Sequence, residues 1–510
     1  MKLRHWLLAL CAMVQFNAIA ATGPIVQTQS GRIEGLRQGN VDSFLGIPYA
    51  RPPVGELRWQ RPLSAKPWRG VKKTTEFGPS CMQAPMEGFI REFSEDCLTM
   101  NIWRPNNARG PLPVMVWIHG GGFVMDSAAT DVYHGQEFAN AGVILVSFDY
   151  RMGRLGFFAH SALEGNLFKG NYGLMDQIKA LRWVQDNIMQ FGGDPKNVTV
   201  FGESAGGMSV NILLTSRFGR DLFNRAIIQS GGGRDVMLGL EDWTTAKQQG
   251  ENFAKSVGIE GSDEKALAQL RALPTDTLVG NLGLFNLPEN ATTYSGPMID
   301  GQVIEQPLTT AYETGAFARM PLMVGATDAD IGFVYRKVET RDDALSIFGD
   351  HAAQANNVYP TYSPKALAAY IATQQAMIEP ARYVAKAFAK NEVPVWHFRF
   401  GYVASANQGK WPGAFHASDI PFVFNTITAA YGDKVSEQDQ QVANTLLQYW
   451  VNFAKTGNPN SSGLPEWSNF DANKELMLWV APEGAAKIGS IKDPQSTQLD
   501  LVEKLAQQTK

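Results

Sequence analysis

"VTVFGESAGG", residues 198–207, begins as a β-branched and aromatic run and breaks at Gly202. Ser204 stands at the apex of the break, and small residues open a helix behind it. A G-x-S-x-G string between strand and helix turns the chain so sharply that the serine is held in a cramped backbone conformation. Glycines at 202 and 206 remove the side chains that would collide there. The helix behind the turn points its positive dipole end at Ser204, which favours negative charge developing beside it. A glycine-rich turn with a helix-capping serine reads the same over five residues, so other stretches have to decide.

The first is "VWIHGGGFV", where His119-Gly120-Gly121-Gly122 comes after another strand-like run. Glycines there can offer bare amide N–H groups to an oxyanion. Gly121, Gly122 and Ala205, the residue after the serine, would supply three donors, each worth about 2.7–4 kcal/mol in acyl transfer. A phosphate loop is the alternative, but no Lys-Ser/Thr comes next and G-x-G-x-x-G is absent. The second is "PGAFHASD", a loop of small residues carrying His416. Of the seven histidines, His5 lies in a leader-like segment, His119 in the glycine loop, and His134 and His160 precede the serine. His397 sits inside an apolar strand, the usual place of a satisfied core histidine. His416, whose loop of small residues lets a side chain project into a cleft, is the candidate base, in the chain order serine, acid, histidine. Phe123, Glu203 and Phe415 flank these motifs and are candidates for substrate contact.

Six apolar runs recur between Gly, Pro or Asn: "PVMVWIHGG", "GVILVSFDY", "NVTVFG", "RAIIQSGG", "MPLMVGAT" and "VPVWHFRF". Their lack of polar alternation suits strands buried on both faces of a largely parallel sheet. Between them "GLMDQIKALRWVQDNI" places Leu174, Ile178, Leu181, Val184 and Ile188 on one helical face. A late helix is expected from Ser436, with Asp439 in its first turn, to just before Gly457. Strand–helix alternation predicts a three-layer α/β protein. No repeat or linker divides it, so one domain over 21–510 is expected after residues 1–20.

Those first residues, "MKLRHWLLALCAMVQFNAIA", pair Lys2 and Arg4 with a short apolar run and a small-x-small ending, Ala18-Ile19-Ala20. This is the pattern of a cleavable secretory signal, so a periplasmic or secreted protein is expected. No later segment reaches the roughly 18 apolar residues of a membrane span. The 510 residues carry a net charge of −4, which offers no basic surface for nucleic acid. After the leader only Cys81 and Cys97 remain, 16 positions apart. Export favours a disulfide between them over two thiols or a metal site.

The chain resembles the type-B carboxylesterase family of α/β-hydrolases, which includes cholinesterases and bacterial p-nitrobenzyl esterases. The likeness runs from about residue 25 to 470 through "FLGIPYARPPVGELRW", "SEDCLTMNIW", "HGGGF", "DYRMGRLGFF", "FGGDPKNVTVFGESAGG", "IIQSGG" and "NFAKTGNPN". It implies an α/β-hydrolase fold with insertions forming an active-site gorge, and hydrolysis of a small-molecule ester without cofactor or metal. It implies Ser204 as nucleophile, His416 as base, an oxyanion hole of Gly121, Gly122 and Ala205, and a Cys81–Cys97 disulfide. Asp176 would partner Arg151, and Ser230 would be a buried hydrogen-bonding serine. Non-catalytic adhesion proteins share the fold, but they typically lose a triad member, and no candidate is missing here. Amide or lactone hydrolysis would use the same constellation.

Three departures from the family pattern stand out. The stretch "CMQAPMEGFIREFSEDC" lacks the tryptophan with which cholinesterases bind choline. "GGGRD" after Ser230 is small where relatives place bulky acyl-pocket residues, which predicts room for a wide acyl group. The family's acid is a glutamate five residues beyond a strand glycine, whereas "VGATDADIGFV" offers Asp328 and Asp330. Counting from Gly325 selects Asp330, and Asp328 is expected to be a solvated or turn-capping carboxylate.

Overall fold

All six apolar runs form strands of a single sheet. The structure, a computed structural model, describes residues 23–85, 92–108, 110–165, 168–234 and 240–508. The expected leader at 1–20 lies outside the described residues. Eleven strands make the main sheet. They are β1 (Leu36–Gln38), β2 (Val41–Pro48), β3 (Thr99–Pro105), β4 (Leu112–Ile118), β5 (Ile144–Phe148), β6 (Gly193–Glu203), β7 (Arg225–Gln229), β8 (Leu322–Thr327), β9 (Val395–Phe400), β10 (Leu476–Val480) and β11 (Gly489–Lys492). Their spatial order is β11-β10-β9-β8-β7-β6-β4-β5-β3-β2-β1. Pairings from β10 to β5 are parallel, while β5–β3, β3–β2, β2–β1 and β10–β11 are antiparallel. The sheet is therefore parallel through its middle, as expected, and antiparallel at both edges, which makes it mixed as a whole. The apolar runs reveal its doubly covered middle, not its edges.

Alternate residues of each central strand feed two cores. On β4, Val114, Val116 and Ile118 face one cluster, and Met115 and Trp117 face the other. Each aliphatic side chain so buried contributes about 1.5–3 kcal/mol. The first core is closed by α1 (Tyr172–Asn187), whose Leu174, Ile178, Leu181 and Val184 are all buried. The helix α2 (Ala205–Thr215) starts immediately after Ser204. Further along come α3 (Pro364–Thr373) and α4 (Glu379–Lys390). The second core is closed by α5 (Glu437–Thr456) through Val442, Leu446 and Trp450. Its start is held reciprocally: Ser436 Oγ accepts from the Asp439 amide at 3.1 Å, and Asp439 Oδ2 accepts from the Ser436 amide at 2.8 Å. Gly457 ends it at φ 80°. The helix α6 (Ser496–Gln508) comes last. No helix among the described residues is long and apolar enough to cross a membrane.

Cys81 and Cys97 are disulfide-bonded and fully buried. Closing a loop of that length stabilises by about 3 kcal/mol through the unfolded chain's lost entropy. Arg151 clamps Asp176 through Nε at 2.7 Å and Nη2 at 2.8 Å.

Candidate active site

The carboxyl ends of β4, β6, β8 and β9 converge on one edge of the sheet, where such folds place their chemistry. At the end of β6 the backbone of Ser204 adopts φ 56°, ψ −124°. Only close packing sustains that conformation in a non-glycine residue. A Cβ on Gly202 would come within 2.5 Å of the Gly206 carbonyl carbon, and one on Gly206 within 2.0 Å of the Ile118 carbonyl oxygen. The turn is thus pressed directly against the end of β4, and neither position can hold a side chain. Ser204 itself is 9% exposed.

The loop after β4 lies across this turn. A Cβ on Gly120 would meet the Glu203 carbonyl oxygen at 2.9 Å. Tyr150 supports the loop from below, its ring stacked on His119 and its hydroxyl donating to the His119 carbonyl at 3.0 Å. Gly121 and Gly122 have φ of 86° and 61°. Their amides, and that of Ala205, donate to no other described residue.

His416 arrives from the loop after β9. Its Nδ1–H donates to Asp330 Oδ1 at 2.5 Å. Asp330 is buried, and it also accepts from Ser230 Oγ at 2.6 Å, the Thr327 amide at 3.1 Å and the Ile331 amide at 2.7 Å. Burial alone would raise its carboxyl, but His416 and these donors hold it below the usual carboxylate range. Asp328 makes no contact with the ring. Its Oδ1 accepts from the Ala414 amide at 2.7 Å, and the Ala329 amide donates to the Ala414 carbonyl at 3.0 Å. Asp328 is therefore not the solvated or turn-capping carboxylate expected. It staples the histidine loop to the strand end, and burial pushes its carboxyl up to about 6.

On its other side His416 faces Glu203, with Nε2 and Oε1 3.2 Å apart but not aligned for a hydrogen bond. Burial pushes the Glu203 carboxyl up to about 8, with help from Asp419, Asp330 and Asp126 and against the pull of His416. Burial lowers His416, but the Glu203 and Asp330 carboxylates outweigh it and lift the imidazole to about 9. With 18% of its side chain exposed, His416 is the less desolvated of the two. The pair titrates as a unit. Ser204 Oγ and His416 Nε2 are not hydrogen-bonded in this structure, and catalytic hydrogen bonds are often long before substrate binds.

The remaining candidates are distributed unevenly. Phe123 is buried, edge-on to Phe157 at 5.2 Å. Phe415 is 38% exposed and packs on Trp411. His397 is a core residue whose Nδ1 meets the Val324 carbonyl, and burial with Arg399 nearby drops it to about 4. Of the glycines after Ser230, Gly231 and Gly233 are closed in, whereas a Cβ on Gly232 would find nothing nearer than the Ala376 carbonyl oxygen at 3.8 Å. A Cβ on Gly231 would strike the Gly207 carbonyl carbon at 2.5 Å, and one on Gly233 would strike Val384 Cγ2 at 2.4 Å. The smallness of Gly231 and Gly233 lets α2 and α4 close on the loop. Asp235 lies outside the described residues. Two neighbours carried no signal in the sequence: Leu284, whose Cδ1 stands 2.7 Å from where a Gly122 Cβ would be, and Thr373, whose hydroxyl donates to the Asp330 carbonyl. Among the described residues no group of three His, Cys, Asp or Glu side chains could hold a metal ion.

A mixed sheet in this strand order, with its reactive edge at the carboxyl ends, is the α/β-hydrolase fold. Residues 22–498 match the carboxylesterase family. The chain is 35% identical to the fumonisin B1 esterase of Sphingopyxis macrogoltabida, over 90% of this chain and 87% of that one. It is 33% identical to the para-nitrobenzyl esterase of Bacillus subtilis, over 90% and 95%, and 31% identical to a liver carboxylesterase of Sus scrofa, over 92% and 91%. A solved PNB esterase superposes with a TM-score of 0.82 at 30% identity, covering 94% of this chain and 99% of the other. The chain belongs to the carboxylesterase family and is a carboxylic-ester hydrolase.

Proposed function

We propose that this is an exported serine carboxylesterase, a single domain over residues 21–510, acting on soluble esters of small to medium, partly apolar acids and alcohols. The observation that carries the reading is His416 donating to a buried Asp330 at the same carboxyl-end edge of the sheet that holds the strained turn of Ser204. In the reaction His416 Nε2 takes the Ser204 proton as Oγ attacks the ester carbonyl. The amides of Gly121, Gly122 and Ala205 receive the oxyanion, and Asp330 stabilises the imidazolium. His416 then protonates the departing alcohol, and water cleaves the acyl-enzyme by the same route. Export is supported by the disulfide. The substrate class is supported by the apolar Leu284 beside Gly122 and by the slight exposure of Ser204. In a panel varying acyl length and alcohol bulk, kcat/KM is expected to be highest on soluble short and medium esters. Higher values on emulsified long-chain esters would overturn the substrate class.

The pairing of Glu203 with His416 has a consequence for pH dependence. A base must be neutral to accept a proton, and an ionised Glu203 retains the proton on His416. Glu203→Gln removes that anion, so the imidazole pKa falls. The acid limb of kcat/KM is therefore expected to move to lower pH in the variant. A limb that stays in place or moves up would contradict the pairing.

A further inference from the structure

The support of Asp330 extends well beyond the residues that touch its carboxylate. Its backbone carbonyl accepts from Thr373 Oγ1 at 2.7 Å, and Thr373 is only 6% exposed. Gly332 closes on the same point, since a Cβ there would lie 2.3 Å from the Thr373 amide nitrogen. Thr373 ends α3, and a π-helical turn, Gln374–Ile378, joins it to α4. Such a turn inserts a residue into the helix and re-phases the side chains beyond it. The first residue past the turn, Glu379, accepts from Arg234 Nε at 2.7 Å and Nη2 at 2.8 Å. Arg234 lies over the Tyr383 ring at 3.7 Å and closes the glycine loop that begins at Ser230. Ser230 in turn donates to the Asp330 carboxylate. The backbone and the side chain of Asp330 are thus tied to the same re-phased helix from its two sides.

That helix is anchored outward to α6. Gln374 Nε2 donates to Gln498 at 2.8 Å, and Arg382 Nη2 donates to Asp500 at 2.6 Å and to Glu475 at 2.7 Å. A buried Arg–Glu pair is weak evidence of added stability, because desolvation offsets its attraction. The pair between Arg234 and Glu379 instead supplies a fixed register between the Ser230 loop and α4.

We propose that Thr373 is a positioning residue for the reaction, and that the π-helical turn it precedes is a splint holding Asp330 at the distance His416 requires. The inference rests on the reading of Asp330 as the acid of the triad. Without the Thr373 hydroxyl the buried Asp330 carbonyl loses its partner, and the peptide turns to find another. That rotation carries the Cα–Cβ bond with it and withdraws the carboxylate from Nδ1.

The test is Thr373→Val, which keeps the shape and deletes the hydroxyl, beside Thr373→Ser, which keeps the hydroxyl. Rates are taken per active site, titrated with an organophosphorus reagent, so that misfolded protein is not counted. Thr373→Val is expected to lower kcat by about ten- to a hundred-fold, the scale of a misplacement approaching 1 Å, with KM within about twofold. Thr373→Ser should restore the wild-type rate. In an Asp330→Asn background the effect of Thr373→Val should vanish, because both changes disable one unit. An unaltered kcat in Thr373→Val, a loss confined to KM, failure of serine to rescue, or an equal loss in both backgrounds would each overturn the inference alone. A wild-type rate for Asp330→Asn by itself would sink the acid assignment, and the inference with it.

Discussion

Ser204→Ala is expected to lower kcat on soluble esters by about 10⁶, the scale seen when the nucleophile of a serine hydrolase is removed. The substitution deletes one oxygen and leaves the elbow intact, because alanine is under the same left-handed constraint as serine at φ 56°. Stability should therefore change little, and any residual rate would come from the amides of Gly121, Gly122 and Ala205 acting on bound ester. An organophosphorus reagent should add one adduct to the wild type, at Ser204, and none to the variant. Ser230 has no such reactivity to offer, since its hydroxyl is committed to Asp330 at 2.6 Å. An adduct on Ser230, or a variant that retains its rate, would overturn the assignment.

Asp330→Asn is expected to lower kcat by about 10⁴. Each carboxylate oxygen of Asp330 accepts from two donors: His416 Nδ1 and the Ile331 amide on one, Ser230 Oγ and the Thr327 amide on the other. Whichever way an amide is turned, its NH₂ meets a backbone N–H, and the charge that stabilises the imidazolium is gone. Asp328→Asn should stay within about twofold of wild type, because an amide oxygen can still accept from Ala414 as Oδ1 does. Steady-state rates of the two variants decide the matter. If Asp328→Asn were the crippled one, the acid would be Asp328.

The parts of this architecture that are legible in the sequence are those specified by neighbours in the chain. Leu174 to Ile188 give a helical stripe by spacing alone, and Ser436 with Asp439 is a cap written in four residues. The elbow is also local, since Gly202 and Gly206 bracket Ser204 and clear the same turn. Asp328 departs from expectation because its partner, the Ala414 amide, is 86 residues away. Nothing around Asp328 announces that it will be covered. Gly231 and Gly233 show the same dependence on distant chain: whether a small residue leaves a pocket or admits a neighbour depends on what arrives, here α2 and α4. Thr373 gives no local hint at all, being an ordinary helix-end threonine until Asp330 is set against it. The antiparallel edges escape a reading of apolar runs because β1 and β11 are only three and four residues long and hold one large apolar residue each, so their hydropathy resembles that of loops.

Ser204, Asp330 and His416 come after β6, β8 and β9, which stand in the order β6-β7-β8-β9 in the sheet. No contiguous fragment of modest length can hold the three together. Pairings between parallel strands must wait for long connections to close, and such non-local contacts form slowly. Ester hydrolysis is in that sense a property of the finished molecule. A nascent or partly collapsed chain carries the same serine, yet it is inert toward the esters around it. Activity regained on refolding reports that the middle of the sheet has been threaded correctly, not merely that the chain has become compact.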